Sequence, residues 1–85
     1  MSYKLEYSKR ADKQLSKLDP LNSRIIVTWM RNNIKGCENP RAHGGPLSAQ
    51  HKEKWKYRVG KYRVLVRIDD NELLVLAQET GTRNN

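Results

Sequence analysis

Lys54-Trp55-Lys56-Tyr57-Arg58-Val59-Gly60-Lys61-Tyr62-Arg63-Val64-Leu65-Val66-Arg67-Ile68 alternates apolar side chains with cations on both sides of Gly60-Lys61, with Leu65 as the one break. Period-two alternation about a two-residue turn signal predicts an antiparallel hairpin. Folded that way, Arg58 lies opposite Arg63 and Lys54 opposite Arg67. Like charges directly across a strand pair are destabilising. The hairpin therefore predicts an anionic partner that neutralises this face, and a nucleic-acid backbone fits.

The rest of the chain supplies what the hairpin packs on. Tyr3-Lys4-Leu5-Glu6-Tyr7 alternates as a short half-buried strand. Ser8 is a good N-cap for a helix over roughly 9–18 that carries Ala11, Leu15 and Leu18 on one face. Asp19-Pro20 caps and starts a second helix, on which Leu21, Ile25, Ile26, Trp29, Met30 and Ile34 recur at helical spacing until Gly36. Residues 36–53 hold Gly36, Pro40, Gly44, Gly45 and Pro46 and read as a long loop, a length that often signals function. After the hairpin, Asp69-Asp70-Asn71-Glu72 turns into a third strand over Leu73–Glu79, and Thr80–Asn85 reads as a polar tail. The order is β-α-α-β-β-β: an α+β fold in one domain over 1–85, a helical hairpin on one face of an antiparallel sheet.

Alternation turns Trp55, Tyr57, Val59, Tyr62, Val64, Val66 and Ile68 toward the helices. Lys54, Lys56, Arg58, Arg63 and Arg67 then line the open face. Pairing the last two strands about Asp70-Asn71 sets Gln78 beside Arg63, sets Leu74 and Leu76 beside Arg67 and Leu65, and sends Glu79 to the helix side.

Composition agrees with an anionic partner. Lys and Arg number 17 against 9 Asp and Glu in 85 residues, a formal charge of +8. Such an excess favours nucleic acid, an acidic protein or an anionic surface and says nothing of fold. No apolar run approaches the roughly 18–20 residues that span a bilayer, and the N-terminus lacks a signal-peptide pattern. The single Cys37 has no disulfide partner, so a reducing cytoplasm is expected. One Cys with His43 and His51 is too few for a structural zinc site. Walker, zincin, nucleophile-elbow and dinucleotide motifs are missing, so neither a metal nor a cofactor is expected.

The plain alternative for the basic face is an ordinary solvated surface. Against it, five cations cluster on two strands without interleaved carboxylates, and the strand bearing Arg63 and Arg67 lies within the meander rather than at an edge. RNA cleavage needs a base for the 2′-OH proton, cations for the phosphorane charge and an acid for the leaving 5′-oxygen. Arginine's fixed fork suits the second role. Lysine acts as a base only where neighbouring cations favour its neutral form. Lys56, between Lys54 and Arg58 and diagonal to Arg63, is that candidate, with His43 and His51 as alternatives. Trp29 reads as core, as do Trp55 and Tyr57, although an exposed aromatic can stack on a base. Lys9, Arg10, Lys13 and Lys17 form a basic stripe on the first helix, read as solvated.

Tyr3-x-Leu5-x-Tyr7-Ser8-x-Arg10-Ala11-x-Lys13-x-Leu15-x-Lys17-Leu18, then Asn39-Pro40-Arg41 leading to Gly45-Pro46-Leu47, then Trp55-Lys56-Tyr57-Arg58, Gly60-Lys61-Tyr62-Arg63 and Gly81-Thr82-Arg83 run through nearly the whole chain. Together they resemble the RelE/ParE superfamily of bacterial toxins, and specifically its RelE-like ribosome-dependent mRNA interferases. The resemblance implies a RelE-like, microbial-RNase-like fold and cleavage of mRNA in the ribosomal A site. It assigns Lys56, Arg58, Arg63 and Arg83 to the catalytic group, with Arg63 at the scissile phosphate and Arg83 near the leaving group. Lys54, Lys61, Arg67 and Gln78 accompany them as RNA contacts. It also implies a cognate, RelB-like antitoxin, with the ribosome and mRNA as the other partners and no membrane. The pattern departs from the family at Thr82, where His or Lys is frequent, and after Arg83, where an aromatic, typically Tyr, is usual. Both departures imply weakened proton transfer and stacking. A ParE-like gyrase inhibitor without nuclease chemistry and a non-catalytic RNA-binding module are the alternatives.

Overall fold

The structure is a computed structural model that describes residues 1–82. Local signals start both helices where the sequence predicts. Strand β1 (Lys4–Tyr7) ends at Ser8, whose hydroxyl accepts the Ala11 N–H at 3.0 Å and opens helix α1 (Lys9–Lys17). Asp19 accepts the Leu21 N–H at 3.2 Å, and Pro20 occupies the first turn of helix α2 (Pro20–Asn33). Gly36, at φ +76°, turns the chain back so that its N–H donates to the Tyr3 carbonyl at 2.8 Å. The end of α2 is thereby tied to the start of β1.

The long loop is not structureless. It holds a 3₁₀ turn over Pro40–Ala42 and a two-residue strand, β2 (Gly45–Pro46). Strands β3 (Lys54–Val59), β4 (Tyr62–Asp69) and β5 (Leu74–Thr82) form the predicted meander, with Thr80–Thr82 continuing the strand instead of leaving it as a tail. Sheet order is β1-β5-β4-β3-β2. The architecture is α+β as expected, with one difference in direction. β1 runs parallel to β5, pairing Lys4 with Leu74 and Tyr7 with Ala77, so the sheet is mixed and not wholly antiparallel. The helices carry the chain from β1 across to β3, and the meander brings β5 back beside β1 in the same direction, a long-range pairing that periodicity cannot report.

The hairpin register is the predicted one: Arg58 faces Arg63, and Lys54 faces Arg67. The β4–β5 register is not. Asp69 pairs with Leu74, Arg67 with Leu76 and Val66 with Ala77; then a bulge at Gln78 shifts the ladder so that Leu65 faces Glu79 and Arg63 faces Gly81. Gln78 thus does not sit beside Arg63, and the leucines are shifted: Leu76 faces Arg67 and Leu74 faces Asp69, where a tight turn would pair Leu76 with Leu65 and Leu74 with Arg67. The turn is wider than a two-residue one. Asp69 Oδ1 accepts both the Asn71 and Glu72 N–H at 3.0 Å, and Leu73 takes a positive φ of 51° to re-enter the sheet. The bulged residue reverses the parity of everything after it. Ala77 and Thr80 both face the core, three positions apart, and Glu79 joins the open face.

Ile26 and Met30 of α2, Ile34 at its C-cap and Leu15 of α1 pack on Tyr57, Val59, Val64, Val66, Ile68 and Val75, all buried. At about 2 kcal/mol per buried aliphatic side chain, this layer dominates stability. Leu21 and Ile25, expected on the same helical face, are 64% and 46% exposed. Both line a groove along α2 that also touches Val59 and Gly60 at the β3–β4 turn, whereas the Ile26, Met30 and Ile34 side of the helix enters the core.

Candidate functional site

The open face of the sheet is organised in rows across the strands. Arg58, Arg63 and Gly81 form one row. Gly45, Lys56, Leu65 and Glu79 form the next, and Lys54, Arg67, Leu76 and Glu6 the third. All five predicted cations of β3 and β4 therefore share one face. The carboxylates Glu79 and Glu6 lie on the β5–β1 side, which gives the face a gradient of sign. Among the described residues, no hydrogen bond or ion pair engages the side chains of Lys54, Lys56, Arg58 or Arg63. Gly81 opposite Arg63 has no side chain, and a Cβ placed there would meet nothing within 4 Å. The space beside Arg63 is open to a ligand.

Glu79 is the correction with chemical weight. Strict alternation sends it to the helix side; the Gln78 bulge returns it to the cationic face. There it accepts from Arg10 of α1 at 3.0 Å, so one member of the basic stripe on α1 has a partner. α1 reaches that far because it lies along the edge of β5 beyond the end of β1. The Ser8 hydroxyl donates to the Gln78 carbonyl at 3.0 Å, and Gln14 Oε1 accepts the Thr80 N–H at 2.7 Å. Gln78 itself sits at the bulge, off the Arg63 row. Lys61 lies in the hairpin turn with its ammonium 5.5 Å from the Tyr62 ring centre, within cation–π reach. Arg83 lies outside the described residues.

Lys56 and Arg58 also line a cleft of about 410 Å³ with Trp29, His43, Gly44 and Gly45. β2 pairs with β3 at Gly45–Lys56 and Pro46–Trp55, and the Leu47 N–H donates to the Lys54 carbonyl at 3.1 Å, which leaves the Arg58–Val59 end of the β3 edge uncovered by β2. Trp29, predicted as core, is only half-buried. It packs on Tyr57 at 5.5 Å between ring centres and presents itself to the cleft, where it meets the His43 ring edge-on at 5.6 Å. His43 is held by its backbone: its carbonyl accepts the Trp55 indole N–H at 2.6 Å. His51 lies elsewhere, 3.2 Å from Glu53. The Glu53 carboxyl is held below its ordinary range by a backbone hydrogen bond, with smaller contributions from His51 and Arg67.

Three interactions fix the loop that builds this cleft. The buried Tyr57 hydroxyl donates to the Pro40 carbonyl at 2.6 Å, and burial pushes the phenol well above its ordinary value, which keeps it a donor. Gly44 has φ +71°, and a Cβ there would collide with the Lys56 carbonyl oxygen. Arg41 donates twice to the Lys52 carbonyl, at 3.2 and 3.0 Å, and as a fork to Asp70 at 3.0 and 3.1 Å. Asp70 also accepts the Tyr3 hydroxyl at 2.7 Å, and these two partners, Arg41 first, hold its carboxyl below the usual range. Sequence reasoning missed Arg41 and Asp70 as organisers of the site, because they are 29 residues apart. Among the described residues, no group of three or more potential metal ligands occurs.

A helical hairpin over a five-stranded sheet is also the fold of solved bacterial and archaeal toxin structures. The structure aligns over 100% of this chain with 95% of a chain in the toxin–antitoxin complex RelBE2 from Mycobacterium tuberculosis, at TM-score 0.84 and 26% identity. A doubly arginine-to-alanine-substituted E. coli toxin RelE in the free state aligns at TM-score 0.77 and 21% identity, covering 96% of this chain and 84% of that one. The archaeal RelE–RelB complex from Pyrococcus horikoshii aligns at TM-score 0.75 and 18% identity, covering 100% and 99%. No curated protein matches the chain in sequence. The fold is that of the RelE/ParE toxins. Residues 5–82 match the family model for the ParE toxin of the type II toxin–antitoxin system parDE, and the chain belongs to that family.

Proposed function

We propose that this toxin grips an RNA backbone on the β3–β4 face and cleaves mRNA on the ribosome. The observation that carries the reading is the convergence of Lys56, Arg58 and Arg63, none of them engaged by an acid among the described residues, beside a cleft that also holds His43. Arg63 has the fork geometry to bind two oxygens of the scissile phosphate, with Gly81 leaving room for it. Lys56 and Arg58 add positive charge where the phosphorane charge develops. Lys56 is the candidate base, with His43 in the same cleft as the alternative. Lys54, Lys61 and Arg67 extend the track along the strand, and Arg83 completes the cationic set in this reading. A RelB-like antitoxin is the proposed partner, because toxin–antitoxin complexes such as RelBE2 share the fold and a chain with charge +8 calls for a neutralising partner.

The test is translation of a defined mRNA by purified ribosomes with and without the protein, with the cleavage positions mapped. Cleavage should appear with the wild type and fall at least a hundredfold in Arg63→Ala while the folded signal is retained. The family match to ParE toxins favours a second reading, inhibition of gyrase without nuclease chemistry. Absence of mRNA cleavage together with gyrase inhibition that survives Arg63→Ala would establish that reading instead.

A further inference from the structure

We propose that the cleft between Trp29, His43 and the Gly44-Gly45 backbone is a nucleobase pocket that seats one base of the RNA gripped by Lys56 and Arg58. The inference rests on the RNA-phosphate reading of the same face and names what that face recognises beyond phosphate. A cleft of about 410 Å³ falls within the roughly 300–1,000 Å³ typical of small-ligand sites. The side chains that line it are of two kinds, set beside the Gly44-Gly45 backbone. Lys56 and Arg58 stand on the side continuous with the cationic rows, where a phosphate would lie. Trp29 and His43 supply π-surface, with their rings edge to face at 5.6 Å, so that one ring presents its face where the other presents its rim. A flat aromatic ligand joined to an anion fits that pairing, since bases stack on aromatic side chains whatever their identity.

The backbone keeps the cleft open. Gly45 pairs with Lys56, so any side chain at 45 would stand beside the Lys56 side chain at the mouth, and a Cβ there meets nothing within 4 Å. The Trp55–His43 hydrogen bond and the Tyr57–Pro40 hydrogen bond, both 2.6 Å, hold the loop before the ligand arrives. A half-buried tryptophan packed on Tyr57 from one side and left accessible on the other is costly to leave unused, and a base would cover it.

The probe is a 2′-O-methyl RNA hexamer, uncleavable because its attacking hydroxyls are blocked, compared with hexamers lacking one base at each position in turn. Affinity is read by fluorescence anisotropy, and placement by NMR shifts of the Trp29 indole N–H and the Gly44 and Gly45 amides. Removal of the base at one position should weaken binding about tenfold, with little effect elsewhere. Gly45→Val should bind the intact hexamer as weakly as wild type binds the base-deleted one. His43→Phe should retain the preference and His43→Ala lose it, which separates a stacking wall from a proton carrier. Equal affinity for every base-deleted hexamer, with salt-dependent binding retained, would overturn the pocket and leave the phosphate reading standing. No binding at low salt would overturn both.

Discussion

Adjacent glycines, Gly44 and Gly45, allow the geometry of the cleft to be tested against itself. Alanine at 44 must adopt φ near +71°, which costs an L-residue roughly 1–2 kcal/mol. Its Cβ would also overlap the Lys56 carbonyl oxygen and lie 2.9 Å from Tyr57 Cδ1. Neither obstacle is the far end of a flexible side chain, so the loop must lift from β3. Lifting it strains the Gly45–Lys56 pairing and the 2.6 Å bond from Trp55 to the His43 carbonyl, a further loss of about 1 kcal/mol per hydrogen bond. The sum is about 2–4 kcal/mol. Gly45→Ala meets nothing within 4 Å and needs no positive φ, so it should stay within about 0.5 kcal/mol of wild type. Both variants lose the same glycine flexibility in the unfolded chain, so that contribution cancels between them. For a domain of this size, Gly44→Ala should melt roughly 8–30 °C below Gly45→Ala by circular dichroism at matched pH and concentration. Melting temperatures within a few degrees of each other would refute the claim that Gly44 is held against the β3 backbone.

Other consequences are simpler to read. Tyr57→Phe leaves the Pro40 carbonyl buried without its donor and should cost about 1–3 kcal/mol, seen as a lower denaturant midpoint at unchanged m-value. Asp70, lowered by Arg41 and Tyr3 from an ordinary value of 3.8, contributes stability that is complete above that pH and is lost as pH falls through its folded value. Asp70→Asn should therefore flatten the wild-type loss of stability below about pH 4, measured by acid titration of the folded signal; an unchanged acid slope would count against the Arg41 fork. Glu79 sits two strand spacings from Lys56, roughly 10 Å, where its repulsion of a bound phosphate is about 0.4 kcal/mol in water. Glu79→Ala should thus tighten RNA binding about twofold at low salt, with the gain fading as salt rises. Contact with about four phosphates predicts a slope near −3 in log K against log[salt], and a flat response would leave the basic face without that partner.

What the sequence reveals and what it conceals divide along one physical line. Elements whose signals are local are legible: Ser8 and Asp19-Pro20 as helix starts, Gly60-Lys61 as the hairpin turn, and the Arg58–Arg63 opposition that follows from it. Alternation also places all five cations on one face. It fails at Gln78, because a bulge leaves the composition of a strand untouched while reversing the facing of every residue beyond it. That single unpaired residue carries Glu79 to the cationic face and sets Gly81 beside Arg63. A strand without it would have given Arg63 a neighbour with a side chain and would have buried a carboxylate against the helices, at a cost of several kcal/mol. The cleft is hidden for a related reason. Trp29 has helical spacing suited to the core, and only the shortness of β2, which uncovers the β3 edge, makes its outer side accessible beside His43. Both misreadings concern where a regular pattern is interrupted, and both interruptions lie at the proposed site. A regular sheet would leave Arg63 crowded and the edge of β3 closed; the bulge and the truncated strand open the two spaces that a phosphate and its base would need.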